Sequence, residues 1–245
     1  MFLRRVTEHL SKQHWTAVFL DFVIVVVGVF LGIQAANWNE YRKERVEEGR
    51  YYGQILDDLR VDQQSLRYAE QRADSFDLAA EDTLRAIRTG LPQNVPPGRF
   101  AVEIHYAGFL YIPRASRRTY DELISAGKLG LLRNETAKTA IADYYESFDT
   151  LRQWDELVRV QQGRYWDVTA GVLPRSVLKA AIRGREPTLT AAEASEILAA
   201  LRARDEADDL LVGMAAHQER VRRDSEDLEE KGRALIAKLE ALRAS

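Results

Sequence analysis

The residues best equipped for chemistry in this chain are few and sit near its middle. Arg114, Arg117 and Arg118 precede Tyr120, which opens a short apolar-periodic helix. Guanidinium groups ahead of a helix N-terminus can hold an anion, because the terminal backbone N–H groups point the same way. His105 lies just upstream among Phe100, Tyr106, Phe109 and Tyr111, so these residues together outline a candidate anion or ligand pocket. Asp121 and Glu122 stand beside the arginines, and mutual ion pairs compete with that reading. The other histidines are His9, His14 and His217. No two histidines share the i, i+4 spacing of a helical metal pair, and none begins an H-E-x-x-H. His9 and His14 read as surface residues, and His217 as a satisfied histidine near an apolar helix seam.

Other reaction signatures are missing. Gly127-Lys128 lacks both the upstream glycine and the following Ser or Thr of a Walker loop, and there is no G-x-S-x-G or G-x-G-x-x-G. The chain has no cysteine, which excludes disulfides, thiolate metal sites and cysteine nucleophiles. Its acidic residues are scattered as on solvated helix faces. A net charge of −3 with 30% charged residues gives no global basic bias toward nucleic acid. The expectation is a protein that is not an enzyme, with no cofactor, no metal and no nucleic-acid partner.

What must position any site is dominated by one segment. Trp15 to Ala36 is apolar apart from Asp21 and Gln34. As a helix it rises about 33 Å, against a hydrocarbon core of about 30 Å. Trp15 and Trp38 stand where indole rings favour the headgroup zone. Residues 15–38 are therefore read as a transmembrane helix, 1–14 as a short basic tail (Arg4, Arg5, Lys12) and 39–245 as a helical-bundle domain. Asp21 lies about one turn inside the membrane, where it either reaches headgroups and water or meets a polar group of a partner helix. Gly28 and Gly32 form a GxxxG, which lets two helix backbones approach closely. Lys and Arg are nearly balanced on the two sides of the span. A short basic N-terminus usually stays inside, so the N-terminus is expected in the cytoplasm and the large domain outside it.

The remainder reads as all-α. From Asn39 to Thr89 there is no proline, and Tyr52, Ile55, Leu56, Leu59, Leu66, Ala69, Ala73, Phe76, Ala80, Leu84 and Ile87 recur in steps of three and four. A central block over residues 100–182 carries shorter helices. Phe100 to Ile112 reads as a buried helix, and Thr119-x-x-Glu122 as a capping box for Tyr120 to Ala126, closed by Gly127. Gly127 and Gly130 both permit left-handed turns. Asn134 caps a helix whose apolar face includes Ala137, Ile141, Tyr144, Tyr145, Phe148, Leu151 and Leu157. Thr190-x-x-Glu193 is a second capping box, opening the last region, 190–245. There Met214, Val221, Leu228, Leu235 and Leu242 repeat every seven residues, while the second seam position is often polar (Gln218, Ser225, Gly232). This pattern predicts a long helix antiparallel to the Tyr52–Ile87 helix.

Two segments carry a resemblance. Gly28-Val-Phe-Leu-Gly-Ile-Gln-Ala-Ala-Asn-Trp-Asn-Glu40, with Asp21 upstream, resembles the N-terminal signature of a bacterial group of small single-span membrane proteins, domain-of-unknown-function family 6090. Thr119-Tyr-Asp-Glu-Leu-Ile-Ser-Ala-Gly-Lys-Leu129, followed by Leu131-Leu132-Arg133-Asn134 and Tyr144-Tyr145, resembles its central signature. The resemblance implies a bacterial inner-membrane origin and this order of elements, and no activity. Asp21 stands where a glutamate is more usual.

Two functional expectations follow. One is a membrane-anchored, non-enzymatic helical bundle that self-associates or scaffolds a membrane complex, its partners being the lipid bilayer and a second copy or another membrane protein. The alternative is an extracytoplasmic ligand-sensing bundle acting through a separate partner. Convergence of His105, Arg114 and Arg118 on an aromatic-lined cavity would favour sensing.

Overall fold

A computed structural model describes residues 15–93 and 95–244, with side chains from Phe19 onward. The expected basic tail, with His9 and His14, lies outside the described residues. The chain is all-α: α1 (Trp15–Thr89), α2 (Pro97–Ala107), α3 (Arg118–Ser125), a 3-10 turn at Leu129–Leu131, α4 (Glu135–Thr169), α5 (Arg175–Ile182), α6 (Ala191–Arg202) and α7 (Ala207–Ala244). Among the described residues there is no strand.

Two compact units divide the chain, Met1–Tyr51 and Tyr52–Ser245. The first holds the apolar opening of α1. Its most apolar 18-residue window has a mean hydropathy of 2.3, and none of it is buried in protein. This helix is long and apolar enough to cross a bilayer.

The second unit is a bundle of three long helices. The remainder of α1 buries Ile55, Leu56, Leu59, Leu66, Ala69, Ala73, Phe76 and Ala80, the face anticipated from the periodicity. Contacts Arg60–Glu240, Arg67–Glu229 and Arg88–Asp208 set α7 antiparallel to it, as expected. Helix α7 also lies antiparallel to α4, with Lys231 donating to Ser147 and His217 bonded to Gln161. Both α7 seams are buried, Met214, Val221, Leu228 and Leu235 on one and Leu211, Gln218, Ser225, Gly232 and Leu239 on the other. Helix α4 runs parallel to α1: Tyr144 reaches Asp62, and Tyr165 packs with Ala79 and Ala80. Two parallel helices need a long return connection between them, as parallel strands do.

That return differs from the sequence expectation. Helix α2 stops at Ala107, and Gly108 to Arg117 forms an irregular strap instead of continuing a helix to Ile112. A Cβ at Gly108 would collide with the Tyr165 ring, so the close approach requires glycine. Pro113 disfavours a helical Ile112. The strap packs Leu110, Tyr111 and Ile112 on Ala69 and Ala73 of α1 and Val221 of α7. Small side chains on α1 make room for it.

Helix ends follow local chemistry in most places. Asn134 accepts from Ala137 N–H at 2.8 Å, and Thr190 and Glu193 form the reciprocal capping box. Gly127 closes α3 at φ +65, with Lys128 N–H bonded to Leu123 O. Gly130 instead sits within the 3-10 turn and does not take a left-handed conformation. Thr119 does not cap α3, since the N-cap is Arg117. On α4 the buried residue is Val158, seven after Leu151, whereas Leu157 is exposed because its position is rotated by about 120° from that face.

Candidate functional site

The expected anion position at the start of α3 is occupied from within the chain. Asp58 and Asp62 lie one turn apart on α1, 6% and 0% exposed. Asp58 accepts the Ser116 hydroxyl at 3.0 Å and the Thr119 backbone N–H at 3.1 Å. Asp62 accepts the Ser116 backbone N–H at 2.5 Å and the Tyr144 hydroxyl at 3.3 Å. A carboxylate at a helix N-terminus is favoured by the helix dipole and the free N–H groups. Asp58 thus serves as the anion for α3 that a free ligand would otherwise supply.

Burial dominates the electrostatics of this pair. It pushes the Asp62 carboxyl up to about 6, the like charge of Asp58 pushing the same way, while bonds from Ser116 and Tyr144 pull it down. The hydroxyls of Tyr144 and Tyr145 are driven far above the usual tyrosine range by burial and the nearby carboxylates, so both stay neutral donors. Tyr145 donates to Ser116 O at 3.3 Å, and its ring stacks on Tyr120 with centroids 4.8 Å apart.

Arg117 is committed to carboxylates. Its guanidinium bonds Asp149 at 2.8 Å and Asp121 at 2.9 Å and lies about 6 Å from the Tyr120 and Tyr145 ring centroids. Of the two readings left open by the sequence, internal ion pairing describes Arg117. Arg118 is exposed. Arg114, also exposed, borders a groove of about 220 Å³ with Tyr111, Asp155, Arg159 and Gln162.

His105 belongs elsewhere. It is 5% exposed and packs against Phe109 (4.9 Å), Trp166 (5.3 Å) and Tyr106 (5.7 Å). Its Nδ1 is buried without a hydrogen-bond partner, and burial lowers its proton affinity. Trp166 and Asp149 stand 17 residues apart on α4, roughly 25 Å along the axis. Arg117 and His105 therefore do not meet. The fold brings together Arg117 and Tyr120, and it separates both from His105.

The strap accounts for one polar position in the α7 seam, Gln218. Gln218 donates to Phe109 O at 2.6 Å, and Gln162 of α4 donates to Gly108 O at 2.8 Å. Backbone outside helix and sheet needs side chains or water to satisfy its polar groups. A polar residue at position 218 serves that need. Asp58 and Asp62 were not singled out from the sequence; their signal was two acids at i, i+4 within the mostly apolar buried face of α1.

In the first unit, Asp21, Gly28 and Gly32 share one stripe of α1. At 3.6 residues per turn, both glycines fall within about 20° of Asp21 around the axis. A Cβ at Gly28 or Gly32 would meet nothing within 4 Å, so the stripe is open. Bulky Val23 and Phe30 project from the opposite side. Among the described residues no cluster of three or more His, Cys, Asp or Glu is placed to hold a metal. An open cleft of about 580 Å³ between α5 and α6 is lined by Val172, Val177, Leu189, Ile197, Glu193 and Glu196, none of them anticipated as site residues.

No family model, curated protein or solved structure matches this chain.

Proposed function

We propose that this protein is a membrane-anchored, non-enzymatic helical bundle that self-associates through its span, in a bacterial inner membrane with its N-terminus in the cytoplasm. One observation carries the reading. Phe19, Phe22, Ile24, Val25, Val29, Phe30, Leu31 and Ile33 are each at least half exposed, and no protein covers them. Water would solvate such a surface poorly, at about 25 cal/mol per Å² of apolar area, and a lipid core removes that cost. Within it, the Asp21–Gly28–Gly32 stripe offers the close backbone approach and the polar contact that spans use to associate. A scaffold for another membrane protein would use the same stripe. The resemblance to domain-of-unknown-function family 6090 supports the bacterial membrane setting. The sensing alternative is a pocket lined by the aromatics of Phe100 to Tyr120 and Tyr144 to Trp166, and convergence of His105, Arg114 and Arg118 would favour it; Arg114 borders a groove with Asp155 and Gln162 whose lining does not include His105 or Arg118.

The chain's lack of cysteine makes the test direct. Single cysteines placed at positions 28 and 32 should form disulfide-linked dimers in native membranes, and those at positions 23 and 30 should not. The protein should also resist extraction by alkaline carbonate. Release by carbonate would overturn the anchor, and equal crosslinking on both faces would overturn the stripe.

A further inference from the structure

We propose that α1, where it leaves the membrane, binds anionic phospholipid headgroups through a basic face formed by Arg42, Lys43 and Arg45 beside Trp38. This rests on the anchor part of the reading above and not on self-association. The charges that follow the span are sorted around the helix. At about 100° per residue, Arg45, Trp38, Arg42 and Lys43 fall within one arc of about 160°, and Glu40, Glu44, Glu47 and Glu48 share the other side within about 100°. Burial sharpens the contrast. Glu48 is nearly fully buried, and Glu44 and Glu47 are partly so. Arg42 and Lys43 are exposed, and neither has an ion-pair partner among the described residues. The residues three and four away from Arg42 are Trp38, Asn39, Arg45 and Val46, so no acid can reach it along the helix. Arg45 reaches Glu48 at 2.9 Å, yet half of its side chain stays in the open.

Position along the axis suits a headgroup. Trp38 is exposed, and its indole marks the interface. Arg42 stands four residues beyond it, about 6 Å, and Arg45 seven residues, about 10 Å. The headgroup layer is about 5–7 Å deep on each side of the hydrocarbon. Side chains of an α-helix tilt toward its N-terminus, and here that end is the one in the membrane. The long basic stems therefore lie back along α1 and set their charges among the phosphates. A guanidinium matches a phosphate with paired N–H donors, so an anionic headgroup supplies the counter-charge that Arg42 lacks. A zwitterionic headgroup brings its own ammonium with the phosphate and gains less. The acids on the opposite side disfavour an anionic lipid there, so the preference belongs to one face.

The test is electron spin resonance of lipid probes around the full chain in phosphatidylcholine bilayers. Trace spin-labelled phosphatidylglycerol and spin-labelled phosphatidylcholine are compared for the fraction that the protein holds motionally restricted. The anionic probe should be preferred about fivefold at low salt, the attraction expected of about one basic residue at a charged surface. The preference should shrink toward parity at about 1 M salt, where charges are screened within about 3 Å. Arg42→Gln combined with Lys43→Gln should bring it close to parity, and Glu40→Gln should raise it. A preference that survives undiminished in the double variant overturns the site, because the basic tail with Arg4, Arg5 and Lys12 would then carry it. Equal restriction of both probes by the wild type also overturns the site while leaving the anchor standing. Absence of restricted lipid of either kind overturns the anchor, and this site with it.

Discussion

Asp58 and Thr119 are 61 residues apart in the chain, yet the Asp58 carboxylate accepts the Thr119 backbone N–H at 3.1 Å and so caps α3 from another helix. The same carboxylate holds the Ser116 hydroxyl. Replacing it with a methyl group leaves a buried N–H and a part-buried hydroxyl without this partner. Asp58→Ala should cost about 1–3 kcal/mol of stability, measured by urea unfolding of the full chain in detergent, with helix content otherwise retained. A cost below about 0.5 kcal/mol would mean that the cap is dispensable.

Asp62 gives a pH signature of definite sign. Its carboxyl is raised from 3.8 to about 6 in the folded chain. The folded state therefore binds the extra proton, and the stability it contributes is fully present below pH 3.8 and lost as pH rises through about 6. Asp62→Asn keeps an acceptor for the Ser116 N–H and removes the buried charge. The difference in unfolding free energy between mutant and wild type should grow in the mutant's favour from about pH 4 to about pH 7, by about 1–3 kcal/mol. A difference that is flat across that range would contradict the assignment.

Gly108 and Gly28 separate packing from association. Gly108→Ala drives a methyl into Tyr165 and approaches Trp166, so it should destabilise the bundle by about 2 kcal/mol or more. Gly28→Ile meets no protein atom and should leave the unfolding midpoint unchanged. The same Gly28→Ile change should reduce disulfide trapping at position 32 severalfold. Loss of bundle stability in Gly28→Ile would show that the span is not independent of the bundle.

Tyr165 tests the buried end of the return connection. Its hydroxyl donates to Ile104 O at 2.6 Å, and burial keeps it neutral. Tyr165→Phe keeps the ring and orphans the carbonyl, for an expected loss of about 1–2 kcal/mol in thermal or urea unfolding.

The legible parts of this sequence are those in which cause and effect are neighbours. Asn134, the Thr190–Glu193 box and Gly127 each act within one helical turn, and each lies where the pattern puts it. The buried face of α1 and the heptads of α7 follow from periodicity alone. Thr119 misled because its N–H is satisfied by Asp58, a partner that local spacing cannot reveal. The irregular strap was hidden for a related reason. Phe100 to Ile112 is largely apolar, and periodicity cannot separate helix from extended chain where a segment is buried on most sides. The break comes from Gly108 meeting Tyr165 and from Pro113. Arg117 and Tyr120 were legible as a pair, whereas grouping His105 with them rested on closeness in sequence. The 17-residue span from Asp149 to Trp166 on α4 overrides that closeness.

The order of the three long helices has a consequence for biogenesis. Ile55, Leu59 and Leu66 emerge from the ribosome long before α7, the helix set antiparallel to their own. Until α7 is made, α4 can flank that greasy ridge but the side that α7 occupies stays open. Nascent chains stalled before Ala207 should therefore be the ones that recruit holdase chaperones or aggregate, while chains extended through Ala244 should escape both fates.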